Sequence, residues 1–399
     1  MGFLGYLREN GSVGVRNYIA VIPTESCVNY LAVKIAEKTK GVFPLSHTGN
    51  CSYMGKDKEM LFRALVGLGT NPNVGGVLVV GLGCDAISAE EIAARIASTG
   101  KPTEFLTVEK SGSFDKLIEK GIEITKKMYY KVSKMKRERM DLSKLTIGVK
   151  CGGSDSTSGL SSNPVTGKIV DKIIAGGGTA IFTEPSELIG AEQVIGKRAV
   201  SKEVTDKIYK IVNEKEQNMM KMGVDIRNCQ PGLGNIQGGI TTIEEKSLGA
   251  IAKSGSAPIQ DVIEWGDKPP RKGLFLMDGS SLTAAIYAGV ASAGAQIFIF
   301  SIGGGIPRML PMVPANSAWF PIMPVIKLTG NPYNFNDREK KYVDIYVGSI
   351  IEGKEKIEEA ATRAFKVFLK KISGEELTIS EIFTNYIEPM TIYFTGPIV

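Results

Sequence analysis

Short apolar runs recur along the chain with no polar residue to break them: 18–24 (YIAVIPT), 76–83 (GVLVVGLG), 146–151 (TIGVKC), 179–185 (TAIFTEP), 274–278 (LFLMD) and 296–303 (QIFIFSIG). A strand with one wet face alternates apolar and polar positions, whereas a continuous run marks a strand covered on both faces. Between these runs the period becomes helical. At 354–372, Ile357, Ala360, Ala361, Ala364, Phe365, Phe368, Leu369 and Ile372 fall on one stripe. Residues 202–222 form a second helical pattern, with Ser201 placed to cap it. Buried strands alternating with amphipathic helices predict an α/β fold, made of two units built on largely parallel sheets with flanking helices.

Charge suggests where the units divide. Residues 126–144 carry eight Lys or Arg against Glu138 and Asp141, which accounts for the whole net charge of +6. The segment reads as a solvated basic linker helix ending near Ser143 and predicts units 1–143 and 144–399. Its aromatics are limited to Tyr129 and Tyr130, too few for a base-stacking surface, so nucleic acid is not an expected partner. A length of 399 residues, 43% hydrophobic and 23% charged, is ample for large cores. The most apolar stretch, 273–307, is broken by Asp278 and many glycines and does not read as a membrane span. The first ten residues lack the apolar core of a signal peptide, so the expected location is cytoplasmic. In that compartment five cysteines are thiols or metal ligands rather than disulfides. There is no CxxC pair, which excludes a zinc ribbon.

Four of the five cysteines fall just past the carboxyl end of an apolar run: Cys27, Cys51, Cys84 and Cys151. In open α/β sheets that edge is where ligands bind. Three of these loops, HTGNCSYMG, GLGCDAIS and CGGSDSTSG, are glycine-rich as well. Each cysteine alone could be a small buried hydrophobe. Together they suggest a thiolate site for a borderline metal, iron first, as a single ion or an iron–sulfur cluster. Three thiolates would leave one position open for a substrate oxygen. His47, the only histidine, sits four residues before Cys51 and is a candidate ligand or acid/base. GNCSYMGK is not a phosphate loop, because five residues rather than four separate Gly49 from Gly55 and Asp57 follows the lysine. Neither GGGIP nor GLGN gives the dinucleotide fingerprint.

Six ordered segments, RENGSVGVRNYIAVIPTESCVN, LSHTGNCSYMG, NPNVGGVLVVGLGCD, KCGGSDSTSGLSSNP, TEPSELIGAEQ and GGITTIEEKSLG, resemble the altronate/galactarate dehydratase family. The resemblance runs from about residue 5 to the mid-300s. It implies a hydro-lyase that converts a hydroxy or sugar acid to a 2-keto-3-deoxy acid with iron or another divalent metal. A related branch eliminates sulfite from sulfolactate, and a non-catalytic member is a further alternative. The resemblance implies Cys51, Cys84 and Cys151 around the metal, with Cys27 or His47 in reserve. It implies Arg16, Asn17, Ser154 and Asn163 as substrate-binding residues, joined by Asp155. His47, Lys246 and Asp155 form the implied catalytic set, with Glu184 and Glu187 behind them. Family members often carry a small SAF-type domain ahead of the large body. Here it is expected as a separate subunit or absent, within a homo- or hetero-oligomer.

The chain departs from the family pattern at two cationic positions, with Ile236 where a lysine is usual and Gly304 where an arginine is usual. Arg308 is a candidate replacement. The loss points to a smaller or less charged hydroxy acid, or to another leaving group. Cys229 stands outside the implied set.

Overall fold

The computed structural model describes residues 2–304, 319–333, 335, 340–382 and 389–395. Gly304 lies within them and Arg308 lies outside the described residues. Strands β1 (Gly2–Leu7) and β2 (Val13–Gly14) open the chain. Then come β3 (Tyr18–Pro23), β4 (Val42–Pro44), β5 (Val74–Gly81) and β6 (Thr103–Thr107), which form a parallel sheet in the order β4-β3-β5-β6. β7 (Glu138–Asp141) returns to pair antiparallel with β1, whose other neighbour is β2.

The larger sheet contains β8 (Thr146–Gly152), β9 (Thr179–Phe182), β10 (Ile259–Ile263), β11 (Gly273–Met277), β12 (Ile297–Ile302), β13 (Val325–Thr329) and β14 (Ile345–Tyr346). Its order is β10-β11-β9-β8-β12-β13-β14, and every pairing is parallel. The α/β class expected from the continuous runs is the one observed, and β3, β5, β8, β9, β11 and β12 each lie on a predicted run. β8, β11 and β12 have buried or nearly buried residues throughout, which is why their sequences do not alternate.

The basic segment differs from expectation. The helix Phe114–Val132 holds only its first part, and Glu138–Asp141 is a strand. β7 lies along β1 on the edge opposite β2, and its four residues pair with Gly2, Phe3, Leu4 and Gly5. The helices Lys202–Lys221 and Ile357–Ile372 match their predicted stripes, and the Ser201 side chain caps the first by accepting from the Val204 N–H.

Both parallel sheets reverse their winding beside their first strand. In the large sheet the chain lays β9, β10 and β11 on one side of β8 and then β12, β13 and β14 on the other. The helix Asn163–Ala175 after β8 contributes Val165, Ile169 and Val170 to a core on one face, shared with helix 357–372. The helix Thr283–Ser292 before β12 packs on the opposite face. Loops that leave adjacent strands toward opposite faces leave a crevice between them. In the small sheet the same reversal falls between β3 and β5.

The two sheets share one core. Ala20, Ile22, Val77 and Val79 from the small sheet pack in a cluster with Phe275, Phe298 and Val290 from the large unit. Helix Gly55–Thr70 approaches helix 283–292 so closely that a Cβ on Gly67 would lie 2.1 Å from Ser292 Oγ. Asn71 donates to the carbonyls of Ala291 and Ala295, and Asn73 to those of Gln296 and Ile322. The described residues 389–395 add a further tie. Met390 bridges to His47, Ile392 N–H donates to Thr48, and Thr395 donates to Asp57.

Candidate active site at the carboxyl edge of the large sheet

The loop after β8 makes the crevice chemically useful. Gly153 takes φ +55, a left-handed turn that glycine adopts without penalty, and so directs Ser154 and Asp155 out of the strand. Gly303 after β12 has no room for a side chain, since a Cβ there would meet Gly153 O at 2.4 Å and Asp155 Cγ at 2.9 Å. Asp155 is buried and fully committed. Its Oδ1 accepts from the Ser158 N–H at 2.9 Å and from Thr157 Oγ1 at 2.6 Å, and its Oδ2 accepts from Asn331 Nδ2 at 2.7 Å. Burial pushes its carboxyl above the usual range, with these bonds opposing.

A cleft of about 290 Å³ opens there, lined among others by Ser154, Asp155, Asn163, Glu245 and Lys246. Asn163 is fixed by donating to Gly249 O and accepting from Ser301 Oγ. Lys246 Nζ donates to Gln230 Oε1 at 2.6 Å and to Asn235 Oδ1 at 3.2 Å. Asn235 in turn donates to Ser154 O at 2.8 Å, so one side chain links the lysine to the β8 loop. Ile236, next to Asn235, is exposed and adds no cation. Gly304 N–H donates to Gly153 O at 2.7 Å.

Beside this cleft, at the ends of β8 and β9, lies a buried charge network. Lys253 Nζ donates to Glu187 Oε2 at 2.6 Å and to Cys151 Sγ at 3.3 Å, and the Cys151 thiol donates to Glu187 at 3.4 Å. Burial pushes the Cys151 thiol up to about 12, and the adjacent Glu187 charge adds to that. Burial also pushes Glu187 up, but the Lys253 ammonium more than offsets this and leaves it below the usual carboxylate range. Lys150 Nζ pairs with Glu184 Oε1 at 3.5 Å and donates to Thr283 Oγ1 at 3.0 Å. Burial, then the Glu187 charge, pushes Glu184 up to about 7. Glu184 is also the one non-glycine with positive φ among the described residues, at 72°, a conformation costing about 1–3 kcal/mol. Its Oε2 is buried with no hydrogen-bond partner among the described residues.

Other expected site residues lie elsewhere. Arg16 is buried, forms a two-point ion pair with Glu381 and donates to three carbonyls. Asn17 accepts from Arg8 and donates to Val132 O. His47 is completely buried at the carboxyl end of β4, with Nε2–H donating to Pro23 O at 2.8 Å and Nδ1 accepting from the Gly49 N–H at 3.1 Å. Burial pulls its pKa down to about 4.

Cys27 and Cys84 flank the reversal point of the small sheet, and Cys51 lies in the loop after His47. All three are exposed. Thr24 bonds to Asp85, and the Ala86 N–H donates to Glu25, whose other oxygen lies 3.6 Å from Cys27 Sγ. Among the described residues no three His, Cys, Asp or Glu side chains are grouped to hold a metal ion. The four thiols as placed therefore do not fit one shared ion. Cys151 belongs to a different sheet from the other three, and its sulfur is engaged by Lys253 and Glu187. Cys229 is exposed and stands apart.

The structure thus brings Ser154, Asp155, Asn163 and Lys246 to one cleft. Sequence reasoning missed Lys150 and Lys253. Lys150 did leave a signal, a lysine inside an otherwise apolar strand. Lys253 left none, since its partners are 66 and 102 positions away.

A cleft at the reversal point of a parallel α/β sheet, lined by hydroxyls, an amide, a buried carboxylate and a lysine, is the layout of an enzyme acting on a small polar ligand. Residues 142–395 match the family model D-galactarate/altronate dehydratase, C-terminal, and residues 5–133 match D-galactarate dehydratase/altronate hydrolase, second domain. The chain belongs to the D-galactarate/altronate dehydratase family. It is 33% identical over 374 residues to the (2R)-sulfolactate sulfo-lyase subunit beta of Chromohalobacter salexigens, covering 93% of this chain and 92% of that one. It is 35% identical over 363 residues to the altronate dehydratase of Escherichia coli, covering 88% and 70%. It is 30% identical over 400 residues to the galactarate dehydratase (L-threo-forming) of the same organism, covering 95% and 74%. All three relatives are lyases by name.

Proposed function

We propose that this protein is a lyase that eliminates water from a hydroxy acid and releases a 2-keto-3-deoxy acid. The observation that carries the reading is the cleft at the reversal point, where Ser154, Asp155, Asn163 and Lys246 converge in a chain of the dehydratase family. The chemistry asks for such a place. The proton beside a carboxylate is a very weak acid, so a base must be held against it and the developing charge must meet fixed donors. Hydroxyls, an amide and an ammonium at one cleft suit a polyhydroxy carboxylate. The chain carries Ile236 where the family pattern has a lysine, and this loss of a cation favours a smaller or less charged acid than altronate or galactarate.

A second reading, elimination of sulfite from sulfolactate, is favoured by one observation. The sulfo-lyase subunit is 33% identical over 93% of this chain, a likeness on a par with that to the dehydratases. That relative is named a subunit, and we extend the proposal to a small companion chain and an oligomeric enzyme in the cytoplasm. No helix among the described residues is long and apolar enough to cross a membrane. Iron or another divalent cation also belongs to the proposal through the family resemblance, not through a site shared by the four thiols. Metal and sulfide analysis of anaerobically isolated protein tests it.

The deciding experiment is a screen of altronate, galactarate, smaller hydroxy acids and sulfolactate, read by keto-acid and sulfite formation. Keto acid without sulfite supports dehydration, and sulfite supports the second reading. Metal-replete, folded protein that converts none of them defeats both.

A further inference from the structure

Glu187 and Glu184 stand three residues apart in the loop after β9, yet their surroundings differ. Glu187 is tied to Lys253 and to the Cys151 thiol, the arrangement of a carboxylate with a structural duty. Glu184 holds Lys150 through one oxygen and leaves the other, buried, without a partner among the described residues. Its backbone takes a left-handed conformation that a glycine would adopt without strain. Neither feature favours stability, and strain of this kind gathers at functional sites.

The neighbouring groups fit a proton-transfer role. Lys150 is fixed by Thr283 and by the Phe300 ring 5.0 Å from its ammonium, so it holds Glu184 in one place. Glu187, Lys150 and Lys253 act on the charge of Glu184, which in turn acts on Tyr287 from helix 283–292. The other candidate acid/bases are engaged: both oxygens of Asp155, both ring nitrogens of His47, and Lys246 by two amide oxygens.

Resting on the lyase reading, we infer that Glu184 is the catalytic base that takes the proton from C2 of the hydroxy acid, with Lys150 as its positioning residue. The C2–H bond breaks first and reversibly, its electron pair passing into the carboxylate as an enediolate, and that pair then forms the C2=C3 double bond as the C3–O bond breaks. The departing hydroxide receives the proton from Glu184 and leaves as water, which returns the carboxylate. The enol then becomes the 2-keto acid as its hydroxyl proton moves to C3. No oxidant or reductant is consumed.

The test uses the full chain and an acid that the wild type converts. In E184G the carboxylate is lost and the backbone strain relieved. That variant is expected to melt below wild type, because the buried Lys150 ammonium loses its partner even as the strain is relieved, while turnover of the folded variant falls at least ~100-fold, the scale of a lost general base. Exchange of the C2 hydrogen with deuterated solvent should vanish, KM should change little, and added formate should restore turnover in proportion to its concentration. If E184G does not fold, the isosteric E184Q carries the test through loss of C2 exchange with KM retained. Turnover or C2 exchange near wild type in the folded variant overturns the assignment, as does a loss that formate leaves untouched in E184G. A wild type inactive on every acid overturns the lyase reading and this role with it. An active wild type with an active Glu184 variant overturns the role alone.

Discussion

The ammonium of Lys253 stands 3.3 Å from the sulfur of Cys151, and both side chains are almost wholly shut from water. Lys253 also answers Glu187 at 2.6 Å, so its removal would strand a buried carboxylate. Lys253→Met is expected to cost about 3–5 kcal/mol. Urea unfolding measures it. Adding Glu187→Gln should recover part of the loss, because the stranded charge is then gone.

The stability of the protein should also depend on its lone histidine. Burial holds His47 near pKa 4, against an ordinary value of 6.5, so the unfolded chain binds the proton more readily. The stabilisation by the neutral ring is therefore complete above pH 6.5 and is lost as pH falls toward 4, by about 3 kcal/mol. His47→Gln should retain the donor to Pro23 and lose this dependence. The difference in unfolding free energy between wild type and variant, followed from pH 7.5 to 4, should shrink as acid is added.

Helix contact between the two units leaves no space at Gly67. A Cβ there would lie 2.1 Å from Ser292 Oγ and 2.5 Å from Ser292 O. Gly67→Ala is expected to cost about 1–3 kcal/mol by overpacking. Ser292→Ala should not rescue it, since the carbonyl remains. Thermal melts of the three variants check the order.

At the cleft, Asp155→Asn would set its amide NH2 against the NH2 of Asn331, which cannot flip without losing the bond its Oδ1 accepts from the Tyr333 N–H. A cost of about 1–3 kcal/mol and lower turnover are expected. Asn331→Asp added to it supplies an acceptor again and should restore both. Urea titration and the keto-acid assay read the two effects.

What could be read in advance follows burial. β8 and β12 were legible because strands covered on both faces cannot hide their composition. β7 was read as helix because Glu138 and Arg139 are exposed, and only pairing with β1, more than a hundred residues earlier, makes that stretch extended. The β8 loop announced itself through glycine, hydroxyls and Asp155, all local signals. The pairing of Lys150 with Glu184 was not legible, because it depends on two adjacent strands and a backbone angle that no composition reveals. The cysteines showed the reverse: their shared position at strand ends was real, but they are divided between two sheets.

The ties between Met390, Ile392 and the loop around His47 also have a temporal side. Thr48 and Ile392 are 344 positions apart, so the ribosome makes that histidine loop long before it makes the strand segment that latches it. The small unit gains this tie only after nearly all of the larger unit has been translated.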